Sequence, residues 1–124
     1  MRMVFALEGA AISLRGDARL LRRLLRNLLE NAKQHGVPPT QVRLQREGVT
    51  AVLKVWDYGP GPLPAEYEQV FTPFYRRSEG RSAAGNGLGL SLVRQIARRH
   101  GGDAKCIRMS DGRGCFVITL AAPA

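Results

Sequence analysis

Between Asp17 and His35, leucines fall at positions 20, 21, 24, 25, 28 and 29, a three- and four-residue recurrence that a helix gathers on one side. Arg19, Arg22, Arg23, Arg26, Glu30 and Lys33 take the other side, Asp17 stands where an N-cap belongs, and Gly36 with Pro38-Pro39 ends the run. A helix with so apolar a side needs a second layer to cover it. At about 100° per residue, Leu20, Leu24 and Leu28 point within about 40° of one direction. Asn31 falls in the middle of that arc, Asn27 lies on its edge with Gln34 beside it, and His35 returns near its centre. Burying an amide without a partner costs roughly 1–3 kcal/mol. The two asparagines at i, i+4 are therefore satisfied by neighbouring backbone or a buried water, or they face a bound ligand or hydrated ion.

The rest of the chain is punctuated by glycine and proline. Two strand-like pieces flank Glu8-Gly9 ahead of the helix; TQVRLQRE and TAVLKVWD alternate about Gly48 as a hairpin; a short helix is expected at about Glu66 to Val70. Thr72 to Asn86 has little apolar periodicity and reads as a long loop of the kind that acts as a lid. Leu88 to His100 reads as a second helix, and DAKCIRMS with GCFVITLA as a last hairpin with a two-residue turn at Asp111-Gly112. That turn sets Cys106 and Cys115 diagonal to each other, as free core thiols. The order β-β-α-β-β-loop-α-β-β predicts an α+β fold, a two-layer sandwich with helices on one face of a mostly antiparallel sheet, and 124 residues fit one domain over 1–124.

Composition narrows the function classes. With 44% hydrophobic residues the chain has material for a core, and no apolar run reaches the roughly 18 residues of a membrane span. A soluble fragment making no membrane contact is expected. The net charge of +9 points to a polyanionic partner, and all its cations but Lys33, Lys54 and Lys105 are Arg, an excess that either suits bidentate phosphate contacts or reflects a GC-rich genome. Only 6% of residues are aromatic, and no aromatic-rich strand of the kind that stacks bases is present, so no nucleic-acid partner is expected. Cys106 and Cys115 lack metal-site spacing and are too few for a disulfide scaffold, which makes a reducing cytosol the default.

Two further strings carry chemistry. Asp57 ends an alternating strand and is followed by Tyr58-Gly59-Pro60-Gly61; it either opens an ordinary turn or accepts a hydrogen bond from an exocyclic amine that the glycines let approach. GNGLGL, Gly85 to Leu90, lies where a loop becomes a helix and is either a hinge or an anion site built on unpaired backbone amides. It matches neither the dinucleotide fingerprint nor the Walker loop.

Taken in order, RNLLENAKQHG, DYGPG, FTPFYR and GNGLGLSLVRQIARRHGG closely resemble the N, first glycine, F and second glycine boxes of the ATP-binding catalytic domain of sensor histidine kinases, over about Asp17 to Leu120. The resemblance implies a Bergerat fold binding ATP and Mg²⁺. Asn31 would coordinate the metal and Asn27 support the phosphate end; Gln34 and His35 would adjoin the nucleotide; Asp57 would take the adenine amine between Gly59 and Gly61. Phe71, Tyr75, Gly85, Gly87, Leu88, Gly89 and Leu90 would complete the nucleotide site under a lid over about 71–86. Arg76 would neutralise γ-phosphate charge, making it catalytic together with Asn27. Related gyrase- and chaperone-type ATPases carry a glutamate four residues before the magnesium asparagine, where this chain has Asn27, so the resemblance favours phosphoryl transfer to a histidine over hydrolysis.

Three departures accompany it. Gln34 stands where the family often has Lys or Arg; Tyr58 and Pro62 replace a common asparagine and isoleucine; and nothing resembles the helical hairpin that bears the phosphoacceptor, since His35 and His100 both lie at helix ends. Glu30 is expected to pair with Arg23 or Arg26. The resulting expectation is a monomeric ATP-binding domain of a two-component sensor kinase. It would phosphorylate a histidine on a separate dimerisation domain, with a response regulator downstream, in the cytoplasmic portion of a parent that is either membrane-anchored or soluble. The alternative is a degenerate nucleotide-binding or non-catalytic interaction module.

Overall fold

A computed structural model describes residues 2–7, 10–75 and 89–122. Strands β1 (Arg2–Leu7) and β2 (Ala10–Arg15) pair antiparallel as a separate two-stranded sheet, and Asp17 then caps α1 (Ala18–His35). The Asp17 carboxylate accepts the backbone N–H groups of Arg19 and Leu20 at 2.9 and 3.3 Å. These bonds, that to Leu20 above all, hold its pKa below the usual carboxylate value.

Strands β3 (Gln41–Glu47) and β4 (Thr50–Trp56) form a hairpin around Gly48, whose φ of +63° is the left-handed backbone a glycine supplies there. Helix α2 (Gly89–Arg99) leads into β5 (Ala104–Arg108) and β6 (Gly114–Ala121), and the second sheet runs β3-β4-β6-β5 with every pairing antiparallel. Leu21, Leu24 and Leu28 of α1 and Val93, Ile96 and Ala97 of α2 pack with Ala51, Leu53, Val55, Phe116, Ile118 and Leu120 of the sheet. Both helices thus cover one face of the four-stranded sheet, as the element order predicts. The opposite face carries a smaller cluster of Val52, Cys115 and Val117, flanked by Trp56, Ile107 and Met109. No helix among the described residues is long and apolar enough to cross a membrane.

Four local expectations are corrected. In place of one short helix at Glu66 to Val70 there are two single 3-10 turns, Pro64–Glu66 and Gln69–Phe71; Thr72, which precedes Pro73, is extended at ψ 135° and stops the second. The buried side of α1 is Ala18, Leu21, Leu24, Leu28 and Ala32, rotated by about 60° from the Leu20–Leu24–Leu28 direction because two alanines share the core with the leucines. Asn31 consequently sits on the rim of the buried side, half-buried, and Gln34 is exposed. The β5–β6 connection is a three-residue loop closed by Met109 N–H to Arg113 O at 2.8 Å, with Gly112 at φ +89°, instead of a two-residue turn. That slip of one residue pairs Cys106 with Phe116 and Ile107 with Cys115, which puts the two buried cysteines, not joined in a disulfide, on opposite faces of the sheet. Finally, Glu30 is exposed and makes no ion pair among the described residues.

Candidate functional site

Asp57 follows β4, where the chain turns out of the sheet beside the C-terminal end of α1. Its Oδ1 accepts two backbone N–H groups, from Gly59 at 2.6 Å and from Val37 at 3.2 Å, and Tyr58 N–H donates to Val37 O at 2.9 Å. One carboxylate oxygen is thereby spent on holding the side chain, while Oδ2 has no hydrogen-bond donor among the described residues. Space for that oxygen exists only because position 36 is glycine: a Cβ on Gly36 would lie 2.0 Å from Asp57 Oδ2. Asp57 opens onto a pocket shared with Gly36, Gly61, Val55 and Phe116.

The far wall is two glycines in contact. Gly61, at φ +72°, passes so close to Gly114 that a Cβ on Gly114 would lie 2.5 Å from Gly61 Cα, and Gly114 N–H donates to Gly59 O at 3.0 Å. Gly114 is a site residue that the sequence reading missed. Its only signal was a second glycine in GRGC, past the turn glycine, where a β-strand begins.

Helix α1 supplies the third wall through Asn31, Ala32 and His35. The Asn31 amide has no hydrogen-bond partner among the described residues, and its oxygen is the kind of hard donor that Mg²⁺ accepts alongside substrate phosphates. One turn earlier, Asn27 Nδ2 donates to Gly89 O at 3.2 Å and so ties α1 to the first residue of α2. Asn31, His35, Asp57 and Gly61 therefore meet in one pocket, with Gly59 forming the turn beneath Asp57; Asn27 and Gly89 are not among its lining residues.

Other expected site residues are placed elsewhere. Phe71 is 4% exposed and lies behind the wall, edge-on to Phe116 with ring centroids 6.2 Å apart, because the 3-10 turn points it into the core. Leu90 is buried in the same core. Tyr75 is half-buried, and its hydroxyl donates to Glu66, itself 5% exposed. Gln34 is exposed on α1. Arg76, Gly85, Gly87 and Leu88, and most of the expected lid over 71–86, lie outside the described residues. Phe74, which the sequence reading passed over, has φ +64° and is 68% exposed.

Two polar clusters brace this arrangement. The Arg94 guanidinium sits 4.4 Å from the Phe71 ring centre, donates to Glu68 at 2.9 and 3.0 Å and to Ala104 O at 2.8 Å, and lies 3.2 Å from Asp103. The bond from Arg94 holds the Glu68 carboxyl below its ordinary range, and in turn keeps Arg94 above its own. For Asp103, burial pushes upward, but the Ala104 amide and the Arg98 and Arg94 guanidiniums outweigh it and the carboxyl is lowered. At the other end of α2, His100 Nδ1 donates to Ile96 O at 2.8 Å and Nε2 accepts from Asp17 N–H at 3.1 Å, which assigns the Nδ1–H tautomer and locks the start of α1 to the end of α2.

The fold recurs in known proteins. Residues 16–124 match the family model described as histidine kinase-, DNA gyrase B-, and HSP90-like ATPase. The chain is 36% identical over 106 residues to the sensor protein KdpD of Escherichia coli (strain K12), an alignment covering 84% of this chain and 12% of that protein. Among solved structures, the mycobacterial sensor histidine kinase MprB superimposes with a TM-score of 0.81 at 32% identity, covering 91% of this chain and 79% of that one. The ATP-binding domain of PrrB from Mycobacterium tuberculosis superimposes with a TM-score of 0.76 at 26% identity, covering 95% and 78%. The chain spans less than a fifth of the length of the curated relatives it matches. With the Asp57 pocket between α1 and its glycine walls, these likenesses show that the chain belongs to the histidine kinase-, DNA gyrase B-, and HSP90-like ATPase family, in its sensor histidine kinase branch.

Proposed function

We propose that this chain binds ATP with Mg²⁺ and donates the γ-phosphoryl group to a histidine on a separate dimerisation domain of a two-component sensor kinase, for relay to a response regulator. The observation that carries the reading is the half-spent Asp57 carboxylate: Oδ1 fixed by two backbone amides, Oδ2 left to accept the amine of an adenine lying between Gly61 and the α1 wall. Bound Mg²⁺ would offset phosphate charge and orient the phosphates for in-line transfer. Asn31 offers it a neutral oxygen at the pocket rim. Asn27, holding Gly89 O, fixes the start of α2, whose preceding residues Gly85, Gly87 and Leu88 are proposed to line the phosphates beneath a lid over about 71–86, with Arg76 as the charge-neutralising residue. Asn27 carries no carboxylate to activate water, which favours transfer to an intrinsically nucleophilic imidazole over hydrolysis. The reading places the chain in the cytoplasm, where ATP and the regulator are.

The test mixes the 124-residue chain with γ-labelled ATP, Mg²⁺ and a separately expressed histidine-bearing dimerisation domain of a sensor kinase. Acid-labile, alkali-stable label on that domain, absent with Asp57→Asn, is the expected result. Release of free phosphate at a comparable rate without labelled domain would overturn transfer in favour of hydrolysis.

A further inference from the structure

We infer that Tyr58 and Arg113 are positioning residues for the Asp57 carboxylate and thereby set which purine the pocket accepts, an inference that rests on the nucleotide reading above. Neither side chain lines the pocket. The Arg113 guanidinium lies 4.0 Å from the Tyr58 ring centre, stacked across the gap between the turn after β4 and the turn before β6. Tyr58 is 54% exposed, so the contact joins the two turns from outside.

Each end of this clasp is anchored. On the Arg113 side, Asp111 accepts the Arg113 backbone N–H at 3.0 Å and pairs with its Nε at 3.3 Å, and the Arg113 carbonyl accepts Met109 N–H. On the Tyr58 side, the backbone N–H donates to Val37 O. The residue after Arg113 is Gly114, whose N–H donates to Gly59 O; the N–H of Gly59 donates to Asp57 Oδ1. A continuous run of polar contacts therefore leads from Asp111 through Arg113, Gly114 and Gly59 to the oxygen that orients the carboxylate. The Arg113–Tyr58 cation–π stack adds a side-chain clasp to the Gly114 N–H to Gly59 O bond that joins the two turns.

The chemistry at stake is the edge of the base. Adenine presents a donor amine where guanine presents a carbonyl, so a carboxylate held in one orientation accepts from the first and repels the second. When the turn slackens, the carboxylate swings and a water can bridge it to a carbonyl, which relaxes the discrimination. Loss of the clasp thus lowers the preference for adenine over guanine, whereas general loosening of the fold weakens both nucleotides alike.

Calorimetric titration of the 124-residue chain with non-hydrolysable ATP and GTP analogues reads this ratio directly. Tyr58→Leu and Arg113→Gln are each expected to reduce the ATP-over-GTP preference about two- to fivefold, the range of an exposed cation–π contact, and Tyr58→Phe to retain it. An unchanged ratio, or an equal loss for both nucleotides, would overturn the inference while leaving ATP binding intact. Failure of the unaltered chain to bind the ATP analogue would overturn the nucleotide reading itself, and the inference with it.

Discussion

Replacing Gly114 with alanine tests the site's construction at its tightest point. The added Cβ would lie 2.5 Å from Gly61 Cα, 2.7 Å from Gly61 N and 2.7 Å from Pro60 O, all backbone atoms that cannot rotate away. Restoring ordinary contact requires the two turns to part by about 1 Å, which stretches the Gly114 N–H to Gly59 O bond from 3.0 Å beyond useful range. Overpacking of this kind costs about 1–3 kcal/mol and the lost hydrogen bond about 1 kcal/mol, so the variant is expected to lose about 2–4 kcal/mol. At this chain length that is a fall in Tm of roughly 8–16 °C by thermal melting. Gly59, pushed away from Gly114 with its turn, no longer holds Asp57 Oδ1 in place, and ATP-analogue affinity at a temperature where the variant remains folded is expected to drop at least tenfold. A Tm within about 2 °C of the unaltered chain together with unchanged affinity would refute the claim that this glycine contact builds the pocket wall.

Asn31→Ala is expected to abolish the gain in ATP-analogue affinity on adding Mg²⁺ while leaving metal-free affinity within about twofold, measured by paired titrations; an undiminished Mg²⁺ effect would remove Asn31 from the metal's ligands. Glu68 and Asp103 have lowered pKa values, so the stability they confer is present above the ordinary carboxylate range and is lost as pH falls through their folded-state values. Urea titrations from pH 7 to pH 3 should show acid destabilisation that is shallower in Arg94→Met, which removes the main partner of Glu68; equal slopes would contradict this origin. Burial also pushes the Cys115 thiol above its usual pKa, and Cys106 is 7% exposed. Alkylation followed by mass spectrometry should label neither cysteine at neutral pH in the folded chain and both in urea, whereas a mass short by two protons in urea would disprove the opposite-face register.

Most of the fold was legible because it rests on periodicity and punctuation. The leucine run, the Asp17 cap and the stop at Gly36 located α1 to within a residue, and alternation about Gly48 located the β3–β4 hairpin. Two of the misses share a cause, dependence on one residue of register or on small side chains. Ala18 and Ala32 rotated the buried side of α1, moving Asn31 from the centre of the core face to its rim, where an amide can face a ligand. A three-residue loop in place of a two-residue turn reversed the facing of Cys106 relative to Cys115. In the site, Asp57, Gly59 and Gly61 were readable as a string, but their partners Gly36, Val37 and Gly114 were not. Those contacts join residues 20 and more apart in sequence, and no local pattern announces them.

The central claim is that Asp57 Oδ2 reads an adenine amine, and calorimetry of the unaltered chain against Asp57→Asn with a non-hydrolysable ATP analogue tests it most directly. The asparagine can still accept the Gly59 and Val37 amides through its carbonyl, which turns its NH₂ toward the base as a donor facing a donor. The account predicts saturable binding by the unaltered chain and at least a tenfold loss in the variant at unchanged Tm; equal affinities would contradict it.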